Sequence, residues 1–232
     1  MTTTDLAPVA VALDAPDLDT ALSWARAAGP YVSTMKVGLE LFLRHGRAAV
    51  VGAREASGGR GIFLDLKLHD IPATVAGAAR AVADLAPAYL TVHAAGGPAM
   101  VRAAVEELPG TRVVGVTVLT SLGATDVAAI GLTGTPRDCV RRLAVLAVEG
   151  GATALVCSPL EVAEVRREVG ADVVLITPGV RPAGTAGGDD QARVATPQQA
   201  LADGADLLVV GRPLTGAADV GEAAKALAAL LA

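Results

Sequence analysis

The sequence has little aromatic character, with one Trp, two Tyr and two Phe in 232 residues. So few rings cannot build a platform on which bases stack in succession, which argues against single-strand nucleic-acid binding. Blocks of like charge are also missing. Lys and Arg together number 19 against 24 Asp and Glu, a net charge of −5, which favours solubility and leaves no basic footprint for a nucleic acid. Cysteine occurs twice, at Cys139 and Cys157, without metal-type spacing and in apolar surroundings. These are expected to be small core residues in a reducing compartment. No apolar run reaches the ~18 residues a membrane span needs. The N-terminal M-T-T-T-D-L-A-P carries neither a basic segment nor an apolar one, so the expected location is the cytoplasm.

Apolar residues are plentiful, at 52%, and their arrangement is regular. Short β-rich runs occur at 9–14 (V-A-V-A-L-D), 31–38, 61–67 (G-I-F-L-D-L-K), 89–95, 111–119, 152–159, 172–179 and 206–213. Between them lie Ala-rich stretches such as D-L-D-T-A-L-S-W-A-R-A-A and C-V-R-R-L-A-V-L-A-V, with apolar residues at helical spacing. Parallel strands need such crossover helices. Eight alternations with no composition shift predict one α/β domain over 1–232, a single (β/α)8 TIM barrel, in preference to a doubly wound open sheet.

In such barrels the chemistry collects where strands end and the βα loops converge. Polar residues fall at those places: Asp14 ends the first strand, Lys36 the second, Asp65 and Lys67 the third, His93 the fourth and Thr120 the fifth, and Arg212 follows the eighth. The third strand, F-L-D-L-K-L-H-D-I-P, raises the sharpest question, because it holds Asp65, Lys67 and Asp70 within six residues. Side chains two apart share a face of a strand, so Asp65 and Lys67 point together into the mouth if Leu66 faces the helices. A lone Asp65–Lys67 pair could be no more than a buried salt bridge, a weak stabiliser. Three or four such charges at adjoining strand ends point instead to a reaction, since opposite charges keep one another ionised away from water.

These residues resemble the D-x-K-x-x-D signature of the orotidine 5′-phosphate decarboxylase family. The resemblance extends to V-A-L-D at 11–14, M-K-V-G at 35–38, V-T-V-L-T-S at 116–121, T-P-G-V-R-P at 177–182 and V-G-R-P at 210–213. It implies decarboxylation of orotidine 5′-monophosphate to UMP, the last step of de novo UMP synthesis, with no cofactor and no metal. Lys67 would donate the proton to C6 amid Lys36, Asp65 and Asp70. Asp14 and Lys36 would bind the ribose, and Thr120 would lie near the pyrimidine. Gln191, Gly211 and Arg212 would hold the phosphate with Arg181 in support. A homodimer is also implied, in which Asp70, Ile71 and Thr74 reach the partner's site, with no nucleic acid or membrane involved. Related barrels that act on sugar phosphates with Mg²⁺ share the short signature, so a metal-dependent decarboxylase and a non-catalytic phosphate-binding module stand as alternatives.

Two further expectations concern the loops. The Gly-rich segment 181–196 is too long for a tight connection and suggests a lid. His93 is expected to be a packed or hydrogen-bonded core residue, and His69 a spacer within the motif.

Overall fold

The structure is a computed structural model that describes residues 6–181 and 195–232. Its strands are β1 (Ala7–Ala12), β2 (Val32–Gly38), β3 (Gly61–Leu68), β4 (Tyr89–His93), β5 (Arg112–Val116), β6 (Ala154–Val156), β7 (Val174–Thr177) and β8 (Leu207–Val210). Every neighbouring pair is parallel and β8 closes onto β1, with Val11 opposite Val210. The predicted (β/α)8 barrel is therefore the observed fold.

The helices outside it are α1 (Leu18–Ala28), α2 (Leu39–His45), α3 (Arg47–Ala56), α4 (Pro72–Val82), α5 (Gly97–Glu107), α6 (Ala124–Ala129), α7 (Pro136–Glu149), α8 (Val162–Val169), α9 (Pro197–Ala202), α10 (Arg212–Thr215) and α11 (Val220–Leu231). Their starts are written in the sequence. The Asp17 carboxylate accepts the Thr20 N–H at 2.8 Å before α1. Before α7, Thr135 and Asp138 exchange side-chain and backbone bonds at 3.2 and 3.0 Å, with Pro136 in the first turn. Each cap satisfies an amide that the helix cannot. Alanine on the buried faces, such as Ala21, Ala25 and Ala28 of α1, brings helix axes close to the sheet. Approach is close at Gly115 of β5, where an added Cβ would lie 2.5 Å from that of Ala147 on α7.

Two apolar layers result. Val9, Val11, Met35, Ile62, Leu64, Leu90, Leu155, Leu175 and Leu208 point outward and pack against the helices. Inside, Ala10, Phe63, Val114, Ala154, Ile176 and Leu207 form a separate plug, with Phe63 and Tyr89 edge to face at 5.7 Å between ring centres. The barrel is thus filled below the level of Phe63 and open above it.

Several strands are shorter than the sequence suggests. The run predicted over 111–119 is a strand only at Arg112–Val116, and the one over 152–159 only at Ala154–Val156. The flanking residues stay apolar because they are buried beyond the paired strand residues, as Val118 and Cys157 are. Asp14 accordingly lies two residues past β1, and Thr120 four past β5.

Candidate active site

The filled interior leaves one polar vessel at the C-terminal mouth, a cavity of about 510 Å³ with Phe63 in its wall. It gathers most of the residues singled out from the sequence: Asp14, Lys36, Asp65, Lys67, Thr120, Arg181, Gly211 and Arg212 all line it. Register brings the first four together. Lys36 sits opposite Ala12 on one side and Phe63 on the other, and Gly38 sits opposite Asp65.

Their charges alternate in a chain. The Lys67 ammonium is 2.8 Å from both carboxylate oxygens of Asp65. Lys36 Nζ lies 3.4 Å from Asp65 Oδ2 and 3.2 Å from Asp14 Oδ1. Asp65 and Lys36 are buried, Lys67 is partly exposed toward the cavity, and Asp14 forms the rim. Burial by itself pushes the Asp65 carboxyl up, but the Lys36 and Lys67 ammoniums and the bonds from Lys67 and Thr91 outweigh it and hold the carboxyl below its ordinary value. Asp65 is therefore an anion at neutral pH.

The predicted same-face placement of Asp65 and Lys67 is observed, but the strand between them is not regular. Lys67 has φ +50°, a left-handed conformation that costs a non-glycine residue of order 1 kcal/mol. Here β3 also slips against β4: Leu64 pairs with Leu90, while Leu68 pairs with Val92. Four steps along β3 thus match two along β4, a bulge that takes Lys67 out of the ladder. Its N–H donates instead to the Thr91 hydroxyl at 2.8 Å, and that hydroxyl donates to Asp65 Oδ1 at 3.0 Å. Thr91 was not singled out from the sequence. Its parity with His93, two residues on along the same strand, is the signal that could have found it.

His93 is half-buried, with its ring centre 5.3 Å from that of His69. Burial, and then the nearby His69 and Lys67, lower its pKa, with Asp65 opposing. It is a packed histidine, as expected. His69 is more than a spacer, since its ring stacks obliquely on His93.

Asp70, Ile71 and Thr74 do not enter the cavity of their own chain. All three are exposed, Ile71 at 66%, and the Asp70 carboxylate accepts the Ile71 N–H at 2.6 Å. Gln191 and the rest of the predicted lid over 182–194 lie outside the described residues.

The donor set suits organic ions better than a divalent metal. Each buried carboxylate oxygen in the cavity already faces an ammonium, and a cation would have to displace it. Among the described residues no three His, Cys, Asp or Glu side chains converge as a metal site, and no helix is long and apolar enough to cross a membrane.

Comparison with known proteins shows the family. The family model for orotidine 5′-phosphate decarboxylase / HUMPS matches residues 7–227. An orotidine 5′-phosphate decarboxylase of Thermobifida fusca is 70% identical over 228 residues, covering 97% of this chain and 96% of that one. One of Frankia casuarinae is 60% identical, covering 96% and 87%. The crystal structure of orotidine 5′-phosphate decarboxylase from Lactobacillus acidophilus superposes with a TM-score of 0.80 at 36% identity, over 95% of this chain and 96% of that one. The chain belongs to the orotidine 5′-phosphate decarboxylase / HUMPS family.

Proposed function

We propose that this barrel decarboxylates orotidine 5′-monophosphate to UMP without a cofactor. The observation that carries the proposal is the Lys67 ammonium, held by both oxygens of a buried Asp65 and facing an open cavity. In the reaction the bond from C6 to the carboxylate breaks, CO₂ leaves, and its electron pair stays on C6. That carbanion has little delocalisation, so its stabilisation must be electrostatic. An ammonium fixed beforehand beside C6 acts on the transition state more than on the ground state. Lys67 then gives its proton to C6 and is reprotonated from solvent. Asp65 takes no proton; it keeps the ammonium charged and aimed.

The lining of the cavity supports roles for Asp14, Lys36, Thr120, Arg181, Gly211 and Arg212, and the family resemblance those of Gln191, Asp70, Ile71 and Thr74. Asp14 and Lys36, bonded to each other at the rim, orient the ribose hydroxyls, and Thr120 lies on the pyrimidine side. Arg212 and the Gly211 amide, with Arg181 and Gln191, take the phosphate, for which an arginine fork is suited. Binding energy from that remote group offsets the cost of enclosing the reacting carbon. Asp70, Ile71 and Thr74, turned outward in one chain, complete the site of a second copy.

The test is to add orotidine 5′-monophosphate to protein dialysed against EDTA and follow the loss of its ultraviolet absorbance, with Lys67→Ala as the control. Turnover by the wild type and none by the variant is the expected result. An unchanged absorbance with the wild type would sink the proposal, and turnover that needs added Mg²⁺ would transfer the site to the metal-dependent branch.

A further inference from the structure

We infer that Thr91 is the positioning residue that sets the place of Lys67, by clamping the bulge in β3 through its hydroxyl. An ionised carboxylate only accepts, so the hydroxyl must donate to Asp65, which leaves its lone pairs for the Lys67 N–H. One buried atom is thereby tied to both members of the ion pair, at 3.0 Å to the carboxylate and 2.8 Å to the amide.

Three further observations fit no simpler role. Thr91 is fully buried, so no water can replace its hydroxyl. The Lys67 amide lies within the register break between β3 and β4, so restoring a backbone partner would require the strand to slip. Lys67 also holds a left-handed backbone, which persists only where its surroundings fix it. Without the hydroxyl, an orphaned amide and a strained residue would lie side by side, and β3 would relax toward a regular strand. That relaxation would move the Lys67 ammonium relative to the cavity, while Lys36 would still hold Asp65 from β2. Among the described residues, the groups bonded or paired to Asp65 besides Thr91 are Lys36 and Lys67, and His93, nearby on β4, interacts with it without a hydrogen bond.

The prediction separates geometry from substrate binding. Thr91→Val keeps the shape and removes the hydroxyl; Thr91→Ser keeps the hydroxyl and removes a methyl. The valine variant is expected to lower kcat roughly 10- to 100-fold, as losing a bond to a charged group does, with KM within about threefold of wild type, since the ribose and phosphate contacts are untouched. The serine variant should restore kcat to within about threefold. This kinetic arm rests on the decarboxylase proposal.

A second arm does not. Hydrogen exchange followed by NMR should find the wild-type Lys67 amide protected to the level of core strands, and exchanging at least about 100-fold faster in the valine variant. Rapid exchange of that amide in the wild type would overturn the inference even if the valine variant failed to fold. Wild-type kcat in the valine variant, or equal losses in Val and Ser, would overturn it too. A wild type inactive on orotidine 5′-monophosphate would defeat the decarboxylase proposal and leave the exchange arm to decide the clamp.

Discussion

At the scale of single residues, Lys67 is where folding and chemistry conflict. Its backbone suits glycine, yet its ammonium is what the cavity presents. Lys67→Gly is therefore expected to be more stable than Lys67→Ala by about 1 kcal/mol, because alanine retains the left-handed strain that glycine lacks. Chemical denaturation of the two variants measures this, and an alanine variant as stable as the glycine one would remove the strain. Both should lose kcat by at least about 10³-fold, as happens when a preorganised charge at the reacting centre is removed. The pairing of Asp65 with Lys67 was legible in the sequence because strand side chains repeat every two residues. The bulge was not legible, since nothing in L-D-L-K-L marks a left-handed lysine, and Thr91 acquires its role only when β4 is laid beside β3.

Among the elements, close approaches decide what can be changed. At Gly38, between β2 and α2, an added Cβ would come within 2.7 Å of Asp14 Oδ1 and 2.9 Å of Lys36 Nζ. Gly38→Ala should therefore push that pair apart and raise KM for the nucleotide several-fold, with a smaller change in kcat. Steady-state kinetics would show it, and an unchanged KM would argue against a ribose role for Asp14 and Lys36. Gly115→Ala meets the Ala147 methyl group of α7 instead. It should cost about 1–3 kcal/mol of stability, as overpacking does, with KM unaffected. The number and order of strands were legible because crossover helices impose a strong alternation. Strand ends were not, because buried residues beyond the ladder, such as Val118 and Cys157, are as apolar as those within it.

For the whole molecule, acid stability and assembly are the measurable properties. The Asp65, Asp84, Glu107 and Asp138 carboxyls are all held below their ordinary values, Asp65 by Lys36 and Lys67 against the effect of burial, the others chiefly by bonds from Arg47, Arg80 and Thr135. A depressed carboxyl contributes stability that is present above its unfolded value and lost as pH falls through the folded one. The lowered His93 has the same sign, beginning near its unfolded value of about 6.5. Tm should therefore decline slightly as pH falls below about 6.5 and steeply below about 4. His93→Asn should remove only the first step; a variant that keeps it would assign that step elsewhere. The outward-facing Asp70, Ile71 and Thr74 lead to a mixing experiment. Combining inactive Lys67→Ala and Asp70→Ala chains should restore activity at about a quarter of the sites if each site draws on two chains of a symmetric dimer. No recovery would confine the site to one chain. Nothing in composition or periodicity spoke to assembly, because a surface that meets a second copy has no period of its own.

The plug of Phe63, Ile176, Leu207 and their neighbours has a consequence for traffic. Among the described residues the barrel is sealed at its base and open at its mouth, so in the proposed reaction the gas and the finished nucleotide leave by the route through which the substrate came. In the proposed decarboxylation, CO₂ forms at the deep end beside Lys67 and has to slip past a nucleotide still tethered by its phosphate. If the proposed roles hold, release is ordered, gas first and nucleotide second, and weakening the phosphate contact at Arg212 should speed the second departure.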